Sequence, residues 1–87
     1  MIEKDINQMN IGQIKDYLFE MQDYVSNKLD QGIDIDDFID KTTIFDQFES
    51  FLPDDEYPVF VITILNNFKK DIIIDNLVNT IYKSTRL

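Results

Sequence analysis

An all-α domain, a single small bundle of four or five helices, is what this sequence predicts, and three observations predict it. Apolar residues make up 44% of the 87-residue chain, seven Phe and four Tyr among them, enough bulk for one core despite a net charge of −9. Most of those residues recur at steps of three and four, the period of one helix face. Between the periodic stretches stand Gly32 and the run Pro53-Asp54-Asp55-Glu56-Tyr57-Pro58, both of which break a chain into elements. A domain of this size buries only about 60–65% of the surface its unfolded chain exposes, so it folds alone with little margin.

Residues 1–10 carry no periodic pattern and are expected to form a loosely ordered N-terminal segment of one domain spanning 1–87. From Ile11 the stripe Ile14, Leu18, Met21, Val25 and Leu29 predicts an amphipathic helix over 11–31, with Asn10 as N-cap and Gly32 as a left-handed stop. Tyr17 and Tyr24 lie beside that stripe and are expected to widen its buried face, the alternative being an exposed aromatic pair for a partner. Ile33-Asp34-Ile35-Asp36-Asp37-Phe38 reads as a helix start. Asp34 can accept from the backbone N–H of Asp37, and Ile33 and Phe38 take the hydrophobic-staple positions. The acids of this first turn also suit the helix dipole. Ile35, Phe38 and Ile39 are then expected to face the core, leaving Asp36 and Asp40 on the wet side.

Beyond Lys41, either Thr42 or Thr43 can cap a helix whose apolar set is Ile44, Phe45, Phe48, Phe51 and Leu52, with Asp46 and Glu49 opposite. Pro58 suits the first turn of the next element. Val59–Leu65 is rich in β-branched residues and could be a strand near 59–65, which would make the fold α+β. The helical spacing of Tyr57, Val61, Ile64 and Phe68 favours instead a buried helix reaching about residue 69. Asp71 is placed to cap the last helix, in which Ile74, Leu77, Val78, Ile81 and Tyr82 repeat on one face, and Lys83 and Arg86 stand at its C-terminal end. Leu18, Met21, Phe38, Phe48, Ile64 and Leu77 are expected in one core.

Charge is concentrated in the middle of the chain. Residues 33–57 hold nine acidic side chains against one base, Lys41, for a net charge of −8, whereas 1–32 come to −3 and 58–87 to +2. Like charges one helical turn apart, as at Asp36 and Asp40 or Asp46 and Glu49, each cost a few tenths of a kcal/mol. Recurrence of that cost points to a use outside the fold, with solubility as the plain alternative.

Several chemistries lack their residues. The chain has no Cys and no His, so no disulfide, no thiolate or imidazole metal ligand and no familiar nucleophile–base pair is available, and catalysis is not expected. Freedom from Cys suits a reducing cytoplasm. The nearest candidate calcium loop begins at Asp30 and has Ile35 and Lys41 where an EF-hand needs Gly and a bidentate Glu. Gly12 and Gly32 build no phosphate loop, and no cofactor is expected. A pI near 4.1 disfavours direct binding to DNA or RNA. The N-terminus has neither a basic region nor an apolar stretch, so neither a signal peptide nor a membrane span is expected.

What these features favour is a protein–protein binder with an acidic working surface made of Asp36, Asp37, Asp40, Asp46, Glu49, Asp54, Asp55 and Glu56, with Tyr57 as an aromatic anchor. The partner would be a basic protein. A long first helix followed by Leu29-Asp30-Gln31-Gly32-Ile33-Asp34-Ile35-Asp36-Asp37-Phe38 resembles the opening of the colicin D-type immunity proteins and of immunity proteins from contact-dependent inhibition systems. That resemblance covers about residues 11–40. It implies a helical bundle that plugs the active site of a tRNA-cleaving toxin, and it transfers no individual inhibitory residue. Two rival readings use the same chain differently: a phage-encoded nucleic-acid mimic that blocks a host defence protein, or a structural or adaptor subunit whose apolar run 59–65 forms an oligomer interface.

Overall fold

The computed structural model describes residues 3–86. A 3-10 turn at Ile6–Gln8 precedes five α-helices: α1 (Ile11–Asp30), α2 (Ile35–Lys41), α3 (Asp46–Glu49), α4 (Tyr57–Leu65) and α5 (Asp71–Thr85). The all-α expectation holds, and 57–65 is helix rather than strand.

α1 starts and stops where its sequence says it should. Asn10 accepts from the Gln13 N–H at 2.8 Å, and the Gln13 side chain accepts from the Asn10 N–H at 2.9 Å, a reciprocal capping box. At the other end Gly32 takes φ +88°, Gly32 N–H donates to Leu29 O, and Ile33 N–H donates to Lys28 O. These two bonds satisfy carbonyls that the helix end would leave open. α1 packs against both α4 and α5, and the 3-10 turn packs against α5. All six expected core residues lie in one buried cluster, together with Tyr17 and Val25 of α1 and Ile74, Val78 and Ile81 of α5.

Four expectations about the helices are corrected. α4 ends at Leu65, not near 69, because Asn67 adopts φ 53° and the pair Asn67 N–H to Ile64 O and Phe68 N–H to Thr63 O closes the helix as Gly32 closes α1. Asn is among the few non-glycine residues that reach this conformation cheaply. Phe68 therefore leaves the helical face, which is built on Phe60, Thr63 and Ile64.

Asp71 does not cap α5. It is the first residue of the helix, Lys70 holds the cap position, and no side chain bonds there. Asp34, by contrast, accepts from Asp36 N–H at 2.9 Å and Asp37 N–H at 3.3 Å. Asp34→Ala should therefore lower the unfolding free energy by about 1 kcal/mol, and Asp71→Ala by only the few tenths that a dipole interaction is worth. Urea titrations of the two variants check the ranking.

On α2 only Phe38 enters the core, against Tyr24 at a ring separation of 6.1 Å. Ile35 and Ile39 are 40% and 41% exposed. The helix has just seven residues, and the extended backbone at Thr42 turns the chain away after them, so α2 rests on the body by one side chain.

The N-terminal segment is tied down from Glu3 onward; for Met1 and Ile2 the expectation lies outside the described residues. Ile6 is fully buried. Arg86 donates to Asn7 O and Met9 O, both at 3.0 Å, and Gln47 donates to Lys4 O while accepting from Ile6 N–H. Most of these bonds span the chain from one end to the other or to its middle, and no local pattern announces them.

The predicted helix over the Phe48 stretch shrinks to the single turn of α3, flanked by turns; of its inward set Ile44, Phe45, Phe48 and Leu52 are buried, and Phe51 is only partly buried against the core. Phe48 stacks toward Phe60 at 4.6 Å and Tyr17 at 6.1 Å, and Phe45 meets Phe60 edge-on at 5.9 Å. This aromatic cluster, not helix propensity, holds the segment to α1 and α4.

Candidate functional site

Asp36, Asp37 and Asp40 project from α2, Asp46 and Glu49 from α3, and Asp54 and Asp55 from the turn before α4; all seven are exposed. Glu56, at the cap position of α4, and Tyr57, its first residue, are half-buried. Among the described residues the ion pairs are Lys4–Glu20, Lys15–Asp75 and Lys69–Asp23. None uses an acid of the 33–57 segment, so among the described residues those carboxylates have no salt-bridge partner. Nor do any three carboxylates among the described residues stand close enough together to hold a metal ion. The charge is spread over a surface instead of focused on a point.

The N-terminal segment extends this surface. Thr43 Oγ1 donates to Glu3 at 2.8 Å, and Glu3, Asp5 and Asp46 share a shallow recess with Lys4 and Gln47. The one base between those acids, Lys4, is drawn off to Glu20 at 2.9 Å and over the Tyr17 ring at 5.8 Å. Glu3 and Asp5 escaped the sequence reading because their neighbour Lys4 makes the local charge look small. Their i, i+2 spacing was the available signal, since alternate residues of an extended chain share a side.

Tyr57 is held against Phe60, with ring centroids 6.3 Å apart. Partial burial raises its hydroxyl pKa above the usual 10.0, and the carboxylates of Glu49 and Asp46 raise it further. The structure thus brings Tyr57 and the α3 acids into one electrostatic neighbourhood. The Tyr17 hydroxyl is also raised, chiefly by burial, against an opposing hydrogen bond from Lys4 N–H.

A phenol whose folded pKa exceeds its unfolded value binds its proton more tightly in the native state. The associated stability is intact below pH 10 and is lost as pH rises toward the folded values. Tyrosinate absorbance should accordingly titrate late for Tyr17 and Tyr57, and their contribution to the melting temperature should be lost in that alkaline window.

Two further features border the acidic array. Ile33, Ile35 and Ile39 expose 38–41% of their surface beside Asp36, Asp37 and Asp40, so the array has an apolar component that could be desolvated on contact. A cleft of about 610 Å³ also lies between the end of α1 and α2, with Tyr24, Ile33 and Phe38 in its walls. Its charges are mixed, Asp34 and Asp37 against Lys28 and Lys41, and Lys28 already sits 5.6 Å over the Tyr24 ring. The cleft therefore adds shape to the site but little negative potential.

Gln22 is a buried polar residue that pattern reading on α1 passed over. Its amide donates to Thr63 O at 3.2 Å and Phe68 O at 2.9 Å, which pins the turn after α4 to α1, and its Oε1 meets no donor among the described residues. No helix among the described residues is long and apolar enough to cross a membrane. Comparison with known families, with characterised proteins and with solved structures finds no match.

Proposed function

We propose that this protein is an acidic inhibitor of the immunity or antitoxin kind, which binds a basic nuclease-type toxin and blocks it. The observation that carries the reading is the set of exposed carboxylates on α2, α3 and the following turn, none of them ion-paired within the chain among the described residues. A cleft that holds nucleic-acid phosphates is lined with Lys and Arg, and carboxylates on packed elements can take the place of those phosphates. Opposite charge speeds encounter, from about 10⁵–10⁶ M⁻¹s⁻¹ for neutral surfaces toward 10⁸–10⁹ M⁻¹s⁻¹ at low salt. Ile35, Ile39 and Tyr57 would supply the apolar contacts that hold the complex once formed. The function is binding rather than catalysis, and its setting is cytoplasmic.

The immobilised protein should retain a Lys- and Arg-rich nuclease from its native host, suppress that nuclease's activity, and release it at high salt. Retention of a nucleic-acid-binding protein that cuts nothing would favour the phage-encoded mimic. Retention insensitive to salt would count against both.

A further inference from the structure

We propose that the face formed by α4 and the start of α5 is a twofold interface with a second copy of this chain. After Pro58 every residue of α4 except Thr63 is apolar, and a helix apolar on all sides belongs in an interior. This one buries only Phe60, Thr63 and Ile64. Its open side borders a groove of about 420 Å³ lined by Val59, Ile62, Thr63, Asn66, Phe68 and Ile73. Val59 is 46% exposed, Ile62 58% and Phe68 45%, while Ile72, the residue before Ile73, is 68% exposed. Scattered apolar residues on a surface need no partner, but several around one groove mark a contact site.

Charge selects the occupant. Residues 57–75, which make up α4, the turn after it and the start of α5, carry two bases and two acids and so no net charge in a chain of −9. Another strongly acidic copy can therefore approach this face with less repulsion than the acidic segment would meet. A basic partner has no carboxylate array to meet here. Lys69 and Asp75 are already paired within the chain, to Asp23 and Lys15, whereas Lys70 and Asp71 have no ion-pair partner among the described residues. They are adjacent and opposite in sign. The proposed twofold axis passes beside these two residues, so that Lys70 of one copy meets Asp71 of the other and the reverse contact forms with it.

A handful of side chains falls short of the ~800 Å² per partner that a tight interface buries, so the dimer is weak, with Kd of ~10–100 μM. Because each copy carries −9, added salt should tighten it, opposite to its effect on a basic partner.

Sedimentation velocity of the full chain across that concentration range tests the proposal. The wild type should show a monomer–dimer equilibrium, and Ile62→Asp should raise Kd at least ~30-fold. Lys70→Asp should raise it about threefold, and adding Asp71→Lys should restore it. The far-ultraviolet helix signal guards against misfolding; if Ile62→Asp loses it, Val59→Asp, at another exposed wall of the groove, takes its place. A wild type monomeric at ~1 mM overturns the proposal. So does a ladder of species that does not stop at two, the mark of head-to-tail pairing, or a double swap that fails to recover. Only this chain is present, so the outcome leaves the basic-partner reading untouched.

Discussion

Phe48→Ala is expected to lower the unfolding free energy by about 3–5 kcal/mol, the usual loss for a fully buried phenylalanine. The site meets that description: Phe48 is completely buried between Tyr17 and Phe60, the latter at 4.6 Å. Its removal should cost more than a cavity elsewhere in the core, because α3 is one turn long and cannot persist by propensity. At ~0.05–0.15 kcal/mol per residue, such a loss consumes a large fraction of the stability of a domain this small. Phe48→Leu, which keeps most of the volume, should retain the fold and lose much less. Urea titrations of both variants, with wild-type slopes where a transition is seen, provide the measurement. A loss below ~1 kcal/mol for the alanine variant would mean that the phenylalanine stripe faces a partner instead of the core.

The contrast between α1 and α2 shows what was legible in the sequence and what was not. α1 has twenty residues, a cap at each end and a stripe long enough to average out local exceptions, so its extent and buried face follow from spacing alone. In α2 the same kind of pattern put three residues inward, and two of them, Ile35 and Ile39, lie at the surface. Two turns of helix touch a core at one point, and that point is set by the chain before and after it.

The ends of α4 and α5 follow the same logic. Asn67 in a left-handed conformation and Lys70 at a cap position are decided by how Gln22 and the body of α1 receive the turn between the helices. The acidic array was legible because exposure of a charged side chain is its default. The part missed, Glu3 and Asp5, depends on the N-terminal segment docking through Gln47 and Arg86, contacts made across 41 to 79 residues of sequence.

Neutralising the array should separate its role in binding from its role in the fold. With Asp36, Asp40, Asp46, Glu49, Asp55 and Glu56 changed to Asn or Gln, thermal stability should stay level or rise slightly. These groups make no ion pair among the described residues, and repulsion such as that between Asp36 and Asp40 is relieved. Asp34 is left untouched in this variant because its carboxylate caps α2. Association with a basic partner should slow by about 10–100-fold at low ionic strength, since long-range attraction is what carried the rate above the neutral level. At high ionic strength the two proteins should converge, because screening over about 10 Å or less removes the advantage the wild type had. Dissociation should change less, unless Asp46 or Glu49 is desolvated beside Tyr57 in the complex, in which case it will quicken as well. Stopped-flow rates at two salt concentrations, with melting curves of the free proteins, supply every quantity required. Equal rates and equal salt slopes would reduce the carboxylates to a solubility device and leave the apolar α4–α5 face as the working surface of the molecule.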